Sequence, residues 1–389
     1  MAQSSTDADF MPRGNRGSGR IFSKPELDRR ETPAIIGGMA IRIIVPPETR
    51  ERAGNLRDRL LAGTTAPGTL LARGMESSPG HGDPASFLLR LLATKKPRIF
   101  AESEIAGDGS DWTLEELRLL GDISVAVDTT IFDDGRHRSP RVHEVPFPGT
   151  LVFTPGALLR SNGRSEPCDL AEVTDARGDL DESAFIALYR RRLRPVFDFI
   201  NDRAIAAGQP ALVTVPGLGC GQFAGKFAGR LGAFLGRALH HILVENAVLW
   251  SGLALVYYDP YNEGTNERHR LGGIDYLIRP LGHGNEGKPQ LCRPETYEEA
   301  GDDFSGLLFH SIVAWDHVSW PGNDFWAGAR ATDDGVKAAA TDVMRHLAGI
   351  EGIYDPRAHT YLPPKPWRTW GDVACERKPE WWGGPAGVL

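Results

Sequence analysis

Apolar and polar positions along this chain alternate in stretches short enough to read as separate elements. The first apolar run, 34–45 (AIIGGMAIRIIV), reads as a strand that Pro46 and Pro47 stop, with a helix over 48–62 behind it. Asp83 before Pro84 and the box Thr113-x-x-Glu116 mark two helix starts, the second helix ending at Gly121. Positions 123–127 then alternate as a strand. A helical period over 181–207 predicts a long helix that Pro195 kinks or splits, with Arg190, Arg191, Arg192 and Arg194 on its exposed face. Next come a strand over 211–215, a glycine-rich loop and a helix over 223–245. Strands over 253–258, 274–278 and 307–314 follow, then a helix from Thr332 to His346. Strands that alternate with helices predict an α/β fold, a mixed sheet flanked by helices, with ligands beyond the strand carboxyl ends.

Composition narrows the class. Of 389 residues, 41% are hydrophobic and 24% charged, the balance of a folded globular protein with room for a large core. The longest apolar stretch, 242–258, is broken by Glu245, Asn246 and Ser251 and falls short of a membrane span. Residues 1–33 are polar and rich in Ser, Asp, Arg, Gly and Pro, which predicts a flexible arm without the apolar core of a secretory signal. The expected organisation is that arm, one elaborated domain over 34–371 with a helical N-terminal part, and a tail over 372–389. With 44 Lys and Arg against 51 Asp and Glu, the net charge of −7 argues against nucleic acid as partner. Cys168, Cys220, Cys292 and Cys375 show no C-x-x-C spacing, so neither a zinc framework nor a disulfide scaffold is expected.

Two loops carry candidate chemistry. After the strand ALVTV, Gly217, Gly219 and Gly221 leave backbone amides uncovered at a strand-to-helix turn, a geometry suited to a diphosphate. A turn whose glycines merely permit close packing is the alternative. The second loop follows the strand over 307–314 and holds Asp316, Asp324, Asp333 and Asp334 among Trp315, Trp320, Phe325 and Trp326. Aromatic rings between carboxylates can wall a sugar or base while the acids handle protons. Asp333 and Asp334 also suit a helix start, and Asp324 a turn. Several carboxylates could hold a hard cation, but no EF-hand spacing supports one, and no metal or cofactor is expected.

The step Gly121-Asp122-Ile123-Ser124 resembles the GDI(T/S) element that holds adenine in macrodomains, the ADP-ribose-binding α/β modules. VPGLGCGQF (215–223) resembles the loop that wraps the diphosphate in that family. WDHVSWPGNDFWAGARATDDG (315–335) resembles the MavL-type bacterial effectors, atypical macrodomains related to poly-ADP-ribose glycohydrolases that remove ADP-ribose from arginine of ubiquitin. The resemblance implies a macrodomain-like sheet and ADP-ribose as ligand, with Asp122 and Ile123 at adenine and Gly219, Cys220, Gly221, Gln222 and Phe223 at the diphosphate. It implies Asp316, Asp324 and Asp334, 8 and 10 residues apart, as the catalytic acids, and an ADP-ribosylated protein such as ubiquitin as partner. Its setting would be the cytoplasm, or a host cell if the chain is exported. The macrodomain AIVNAAN run is replaced by SVAVDTTIFDDG, and the GGG-x-x-x-EE loop of the glycohydrolases is absent, so the resemblance does not extend to polymer cleavage. An ADP-ribose reader without turnover, or an unrelated glycoside hydrolase, are the rival readings.

Overall fold

A computed structural model describes residues 41–77, 83–97, 110–161, 166–377 and 387–388. The chain divides into two compact units, Met1–Gly38 and Met39–Leu389, and every described residue belongs to the second. The arm expected over 1–33 and the strand start expected at 34–40 lie outside the described residues.

Strands β1 (Ile41–Ile44), β2 (Ser124–Asp133), β3 (Val142–Pro155), β4 (Ala211–Pro216), β5 (Leu253–Asp259), β6 (Glu267–Leu271), β7 (Ile274–Ile278), β8 (Leu308–Trp315) and β11 (Gly387–Val388) form one sheet. Their order is β11-β1-β2-β3-β8-β4-β5-β7-β6, and β9 (Ile353–Asp355) pairs separately with β10 (Thr360–Leu362). β3, β8, β4, β5 and β7 run parallel, while β2 runs against β3 and β6 against β7. The central strands are covered on both faces, so β4 is buried at every position and reads as a continuous apolar run. The carboxyl ends of the parallel strands and the amino end of β2 consequently share one edge of the sheet.

Helices α6 (Glu182–Ala207) and α7 (Leu231–Asn246) cover one face, packing Tyr189, Val196, Leu235 and Ile242 on Val213 and Val256. On the other face, α8 (Asp333–Ala339), α9 (Val343–Ala348) and α10 (Trp370–Arg377) close a core of Leu151, Tyr257, Trp315, Met344 and Trp370. Helices α1 (Pro47–Leu61), α2 (Thr69–Ser77), α3 (Pro84–Leu92) and α4 (Leu114–Gly121) build a third cluster around Leu91, Trp112 and Leu120. A short helix, α5 (Cys168–Val173), lies between β3 and α6. The caps expected at Asp83 and Thr113 are both formed, the latter as a complete capping box. This is the mixed sheet with flanking helices and a helical N-terminal part that the macrodomain resemblance implies.

Three expectations are corrected. The helix after the glycine loop starts at Leu231 rather than at 223, because Gly225 and Gly229 take positive φ and leave only a 3₁₀ turn between them. Arg192 is buried rather than exposed, since its face of α6 turns toward β2 and β3, and Pro195 does not split the helix. The helix expected from Thr332 to His346 breaks into α8 and α9. Residues 340–342 bond to β2 instead, with Phe132 N donating to Ala340 O at 2.9 Å and Thr130 N to Asp342 Oδ1 at 2.6 Å. Within the stretch read as a C-terminal tail, α10 runs on to Arg377 with Trp370 buried, and β11 pairs beside β1.

Candidate functional site

The end of β8 delivers Asp316 to the shared edge, and the loop behind it folds back over the same spot. Asp316 is buried, and its carboxylate accepts from Val318 N (2.8 Å), Ser319 N (2.6 Å), Ser319 Oγ (2.6 Å) and Asn323 Nδ2 (3.1 Å). Asp324 accepts from Ala331 N (2.8 Å), Thr332 N (3.3 Å) and the Thr332 hydroxyl. Asp334, in the first turn of α8, accepts from Gly322 N at 2.6 Å through Oδ1, while its buried Oδ2 has no partner. Burial pushes the Asp334 carboxyl well above its usual range. The Gly322 bond opposes this only in part, and Asp316, Asp324 and Asp333 add to it by repulsion. Three acids separated in sequence are thus one buried cluster, in which the Asp334 carboxyl is the one pushed toward its protonated form. Asp333 points elsewhere: its Oδ2 accepts from Ala314 N at 2.8 Å and pairs with Lys337 Nζ at 3.1 Å, pinning α8 to β8.

The aromatic residues of this loop do not wall a ligand. Trp315, Trp320, Phe325 and Trp326 are all buried in the core beneath the acids, where the indole N–H groups of Trp320 and Trp326 donate to Lys95 O and Pro321 O, each at 2.9 Å. Sequence reading missed Lys95, which enters the cluster from just beyond α3. Only 3% exposed, its Nζ lies 3.7 Å from the centre of the Trp315 ring and donates to Asp316 O at 3.3 Å. Burial pushes this ammonium down to about 7, against Asp316 and Asp334, which favour its charged form. The pair Lys95-Lys96 carries no signal that separates it from an ordinary solvated charge pair.

The glycine loop follows β4, next to β8 in the sheet. Tyr189 OH clamps it, donating to Leu218 O at 2.5 Å and accepting from Ala157 N at 3.1 Å, and Leu159 N donates to Phe223 O at 2.8 Å. Gly219 has φ +73° and lies against Ala157, so close that a Cβ would stand 2.7 Å from Ala157 O, whereas a Cβ on Gly221 would meet nothing within 4 Å. Among the described residues, the N–H groups of Gly219, Gly221, Gln222 and Phe223 have no protein acceptor, while Cys220 N donates to Gly217 O at 3.0 Å. Four amides are left for water or for an anion. They come from the loop itself, and the amino end of α7 is taken by Glu263, which accepts from Gly232 N at 2.6 Å.

Asp122, at the amino end of β2, is buried beneath a cage of cations. Its Oδ2 accepts from Thr49 Oγ1 (3.0 Å), Arg52 (2.6 Å) and Arg191 Nε (2.9 Å), and its Oδ1 from Arg192 Nε (3.2 Å). Ile123 beside it is fully buried in the N-terminal cluster. Arg192 also reaches Asp169 Oδ1 at 2.7 Å, and Asp169 Oδ2 pairs with His317 Nε2 at 3.2 Å and accepts from Leu158 N at 2.9 Å. Burial alone would raise the Asp169 carboxyl, but Arg192 and His317 hold it well below the usual carboxylate range. Cys168, Asp169 and His317 lie close enough together to hold a metal ion. An ion there would have to displace Arg192 or His317 from a carboxylate they already occupy.

Among the described residues no helix is long and apolar enough to cross a membrane. No curated protein sequence matches the chain. The family profile described as macrodomain effector MavL matches residues 41–367, which takes in every element from β1 to β10, including the acid cluster, the glycine loop and Asp122. That family ties the chain to a macrodomain function centred on ADP-ribose. With well over half of its length inside the match, the chain belongs to the macrodomain effector MavL family.

Proposed function

We propose that the protein is an ADP-ribosylhydrolase that cleaves the N-glycosidic bond between ADP-ribose and an arginine of a modified protein, ubiquitin being the first candidate. The observation that carries this reading is the buried trio Asp316, Asp324 and Asp334, in which Asp334 keeps one buried oxygen without a partner and is pushed toward its protonated form, while the other two are hydrogen-bonded by neutral donors. In the reaction, water forms a bond to the anomeric carbon of the distal ribose as the bond from that carbon to the guanidinium nitrogen breaks. Asp334 gives its proton to the departing nitrogen. Asp316 and Asp324 face the positive charge that develops on the carbon and accept the proton of the attacking water, the division of labour of paired acids in glycosidases. A planar, cationic guanidinium is the leaving group that gains most from several carboxylates.

The remaining ligand contacts follow the sheet edge. Gly219, Cys220, Gly221, Gln222 and Phe223 would hold the diphosphate, supported by four amides without a protein acceptor. Asp122 and Ile123 would hold adenine. Because Oδ2 of Asp122 already accepts from three donors, its more exposed partner Arg52 would yield that oxygen to the adenine amino group. Incubation with an arginine-ADP-ribosylated protein and with free ADP-ribose tests the reading: release of ADP-ribose supports the hydrolase, binding without release makes the protein a reader, and neither removes ADP-ribose as its ligand.

A further inference from the structure

We infer that Lys95 determines selectivity for a cationic leaving group: its ammonium is the resident positive charge beside the aspartate cluster and releases its proton to solvent when a guanidinium enters beside Asp316 and Asp334. This rests on the arginine hydrolase reading above. Lys95 is held by packing, since Trp320 Nε1 donates to its carbonyl at 2.9 Å. Its neighbour Lys96 pairs with the acid loop through Lys96 N to Val318 O (2.8 Å) and Trp320 N to Lys96 O (2.7 Å). An ammonium has three protons to donate. Among the described residues Nζ has one acceptor, the Asp316 carbonyl, and no carboxylate forms an ion pair with it. The charge is therefore buried next to acids that it does not bind, where it balances their field without occupying their oxygens.

The acids that face Lys95 are Asp316 from the loop and Asp334 from α8, and Asp334 in turn faces Asp324 and Asp333; on its own segment Lys96 is paired with Asp111 at 2.8 Å. Burial outweighs the pull of these acids and brings the ammonium down to about 7. A second full positive charge in the same dry pocket then tips it to the neutral amine. The uncharged ribose end of free ADP-ribose has no such effect. Arginine-linked ligand, unlike ADP-ribose, should bind with proton release and more tightly as pH rises toward neutrality.

The test measures KM and kcat for an arginine-ADP-ribosylated peptide, and Kd for ADP-ribose, from pH 5.5 to 9 on the wild type, Lys95→Arg and Lys95→Met. Asp334 titrates in all three proteins, so differences between them belong to Lys95. Wild-type KM should fall roughly tenfold, the equivalent of about 1.4 kcal/mol, toward neutral pH while the Kd for ADP-ribose stays flat. Lys95→Arg, permanently charged, should keep a high KM at every pH, and Lys95→Met a low one with a weaker pH course. A shift of KM in the same direction in both variants, or a parallel pH course for peptide and ADP-ribose, would overturn the inference. Should either variant fail to fold, the Cε resonance of Lys95 in ¹³C-lysine-labelled wild type is titrated with and without ADP-ribose plus free arginine. An unchanged titration overturns it, and a lowered one supports it. Absence of release by the wild type condemns the hydrolase reading instead, and the resonance then decides on Lys95 alone.

Discussion

Two groups of buried acids sit on the same edge of the sheet with opposite charge balances. Asp122 is matched by Arg52, Arg191 and Arg192, and Asp169 by Arg192 with His317 hydrogen-bonded beside it, so that each carboxylate meets a cation directly. Asp316, Asp324 and Asp334 are held by main-chain amides, Ser319, Asn323 and Thr332, with one ammonium beside them that pairs with none. Burial is the same in both, so burial does not tell them apart. Pairing does. An acid matched by arginines spends its charge inside the protein and serves the fold, whereas acids held by neutral donors keep a negative field for a cation that arrives from outside.

The matched group should fail by unfolding. Arg192→Met strips Asp122 Oδ1 and Asp169 Oδ1 of the same guanidinium and leaves two buried carboxylates short of a partner. The expected loss is about 3–5 kcal/mol in urea denaturation at pH 7. A loss under about 1 kcal/mol would erase the distinction between the groups. Because Asp169 is held below its unfolded value, its contribution is present above the ordinary carboxylate range and is lost only as pH falls through its lower folded value. The matched group should therefore persist into acid.

The unmatched group should fail in turnover with the fold intact. Asp316→Ala, Asp324→Ala and Asp334→Asn are each expected to slow release of ADP-ribose from arginine by 10²-fold or more, roughly the scale of general acid–base help, with combined losses far from additive. The sign of the stability effect sharpens this. Asp334 is raised in the folded state, so it lowers stability as pH climbs above its unfolded value, and Asp334→Asn should melt higher than the wild type at pH 7. Asp333→Ala removes a strut to Ala314 and Lys337 and should keep most of the turnover. Near-normal turnover in Asp324→Ala, measured beside its melt, would dissolve the trio.

Local signals account for what could be read before the structure. The capping box at Thr113, the proline at 84 and the strand over 274–278 depend on neighbours a few residues away. β3 was missed because Pro146 and Pro148 argue against a strand. They are tolerated because β8 joins β3 only from Thr150 onward, leaving the first half of the strand paired on one side. Long-range pairs were silent. Nothing in a run of arginines separates Arg192, whose partners are Asp122 and Asp169, from Arg190 or Arg194, and Lys95 meets an aspartate 221 positions away. The acids themselves were legible as a trio through family likeness, and the hydrogen bonds that hold them were not.

A smaller effect separates two glycines of one loop. Gly221→Val adds a side chain in open space at an ordinary φ, so the fold should stand while ADP-ribose affinity drops by roughly tenfold, about 1.4 kcal/mol. Gly219→Ala, at φ +73° and against Ala157 O, should lower the melting temperature instead. Unchanged affinity in a folded Gly221→Val would remove the diphosphate from this loop.

The smallest expected effect tests whether the matched group is wholly structural. Arg52 is the outermost of the cations on Asp122, 37% exposed at its side chain, where Arg191 and Arg192 are much more buried. Arg52→Ala therefore costs an exposed ion pair, about 0–1 kcal/mol of stability, and Arg191, Arg192 and Thr49 remain on the carboxylate. If adenine's amino group donates to Asp122, the substitution frees the oxygen that group needs. ADP-ribose should then bind a few-fold tighter, by roughly the net worth of one hydrogen bond, about 0.5–1.5 kcal/mol. Its hypoxanthine analogue, which lacks the amino donor, should gain nothing. Titration calorimetry of both ligands against wild type and Arg52→Ala reads the difference directly. Equal changes for the two ligands would confine Asp122 to the fold and move adenine to another part of the sheet edge.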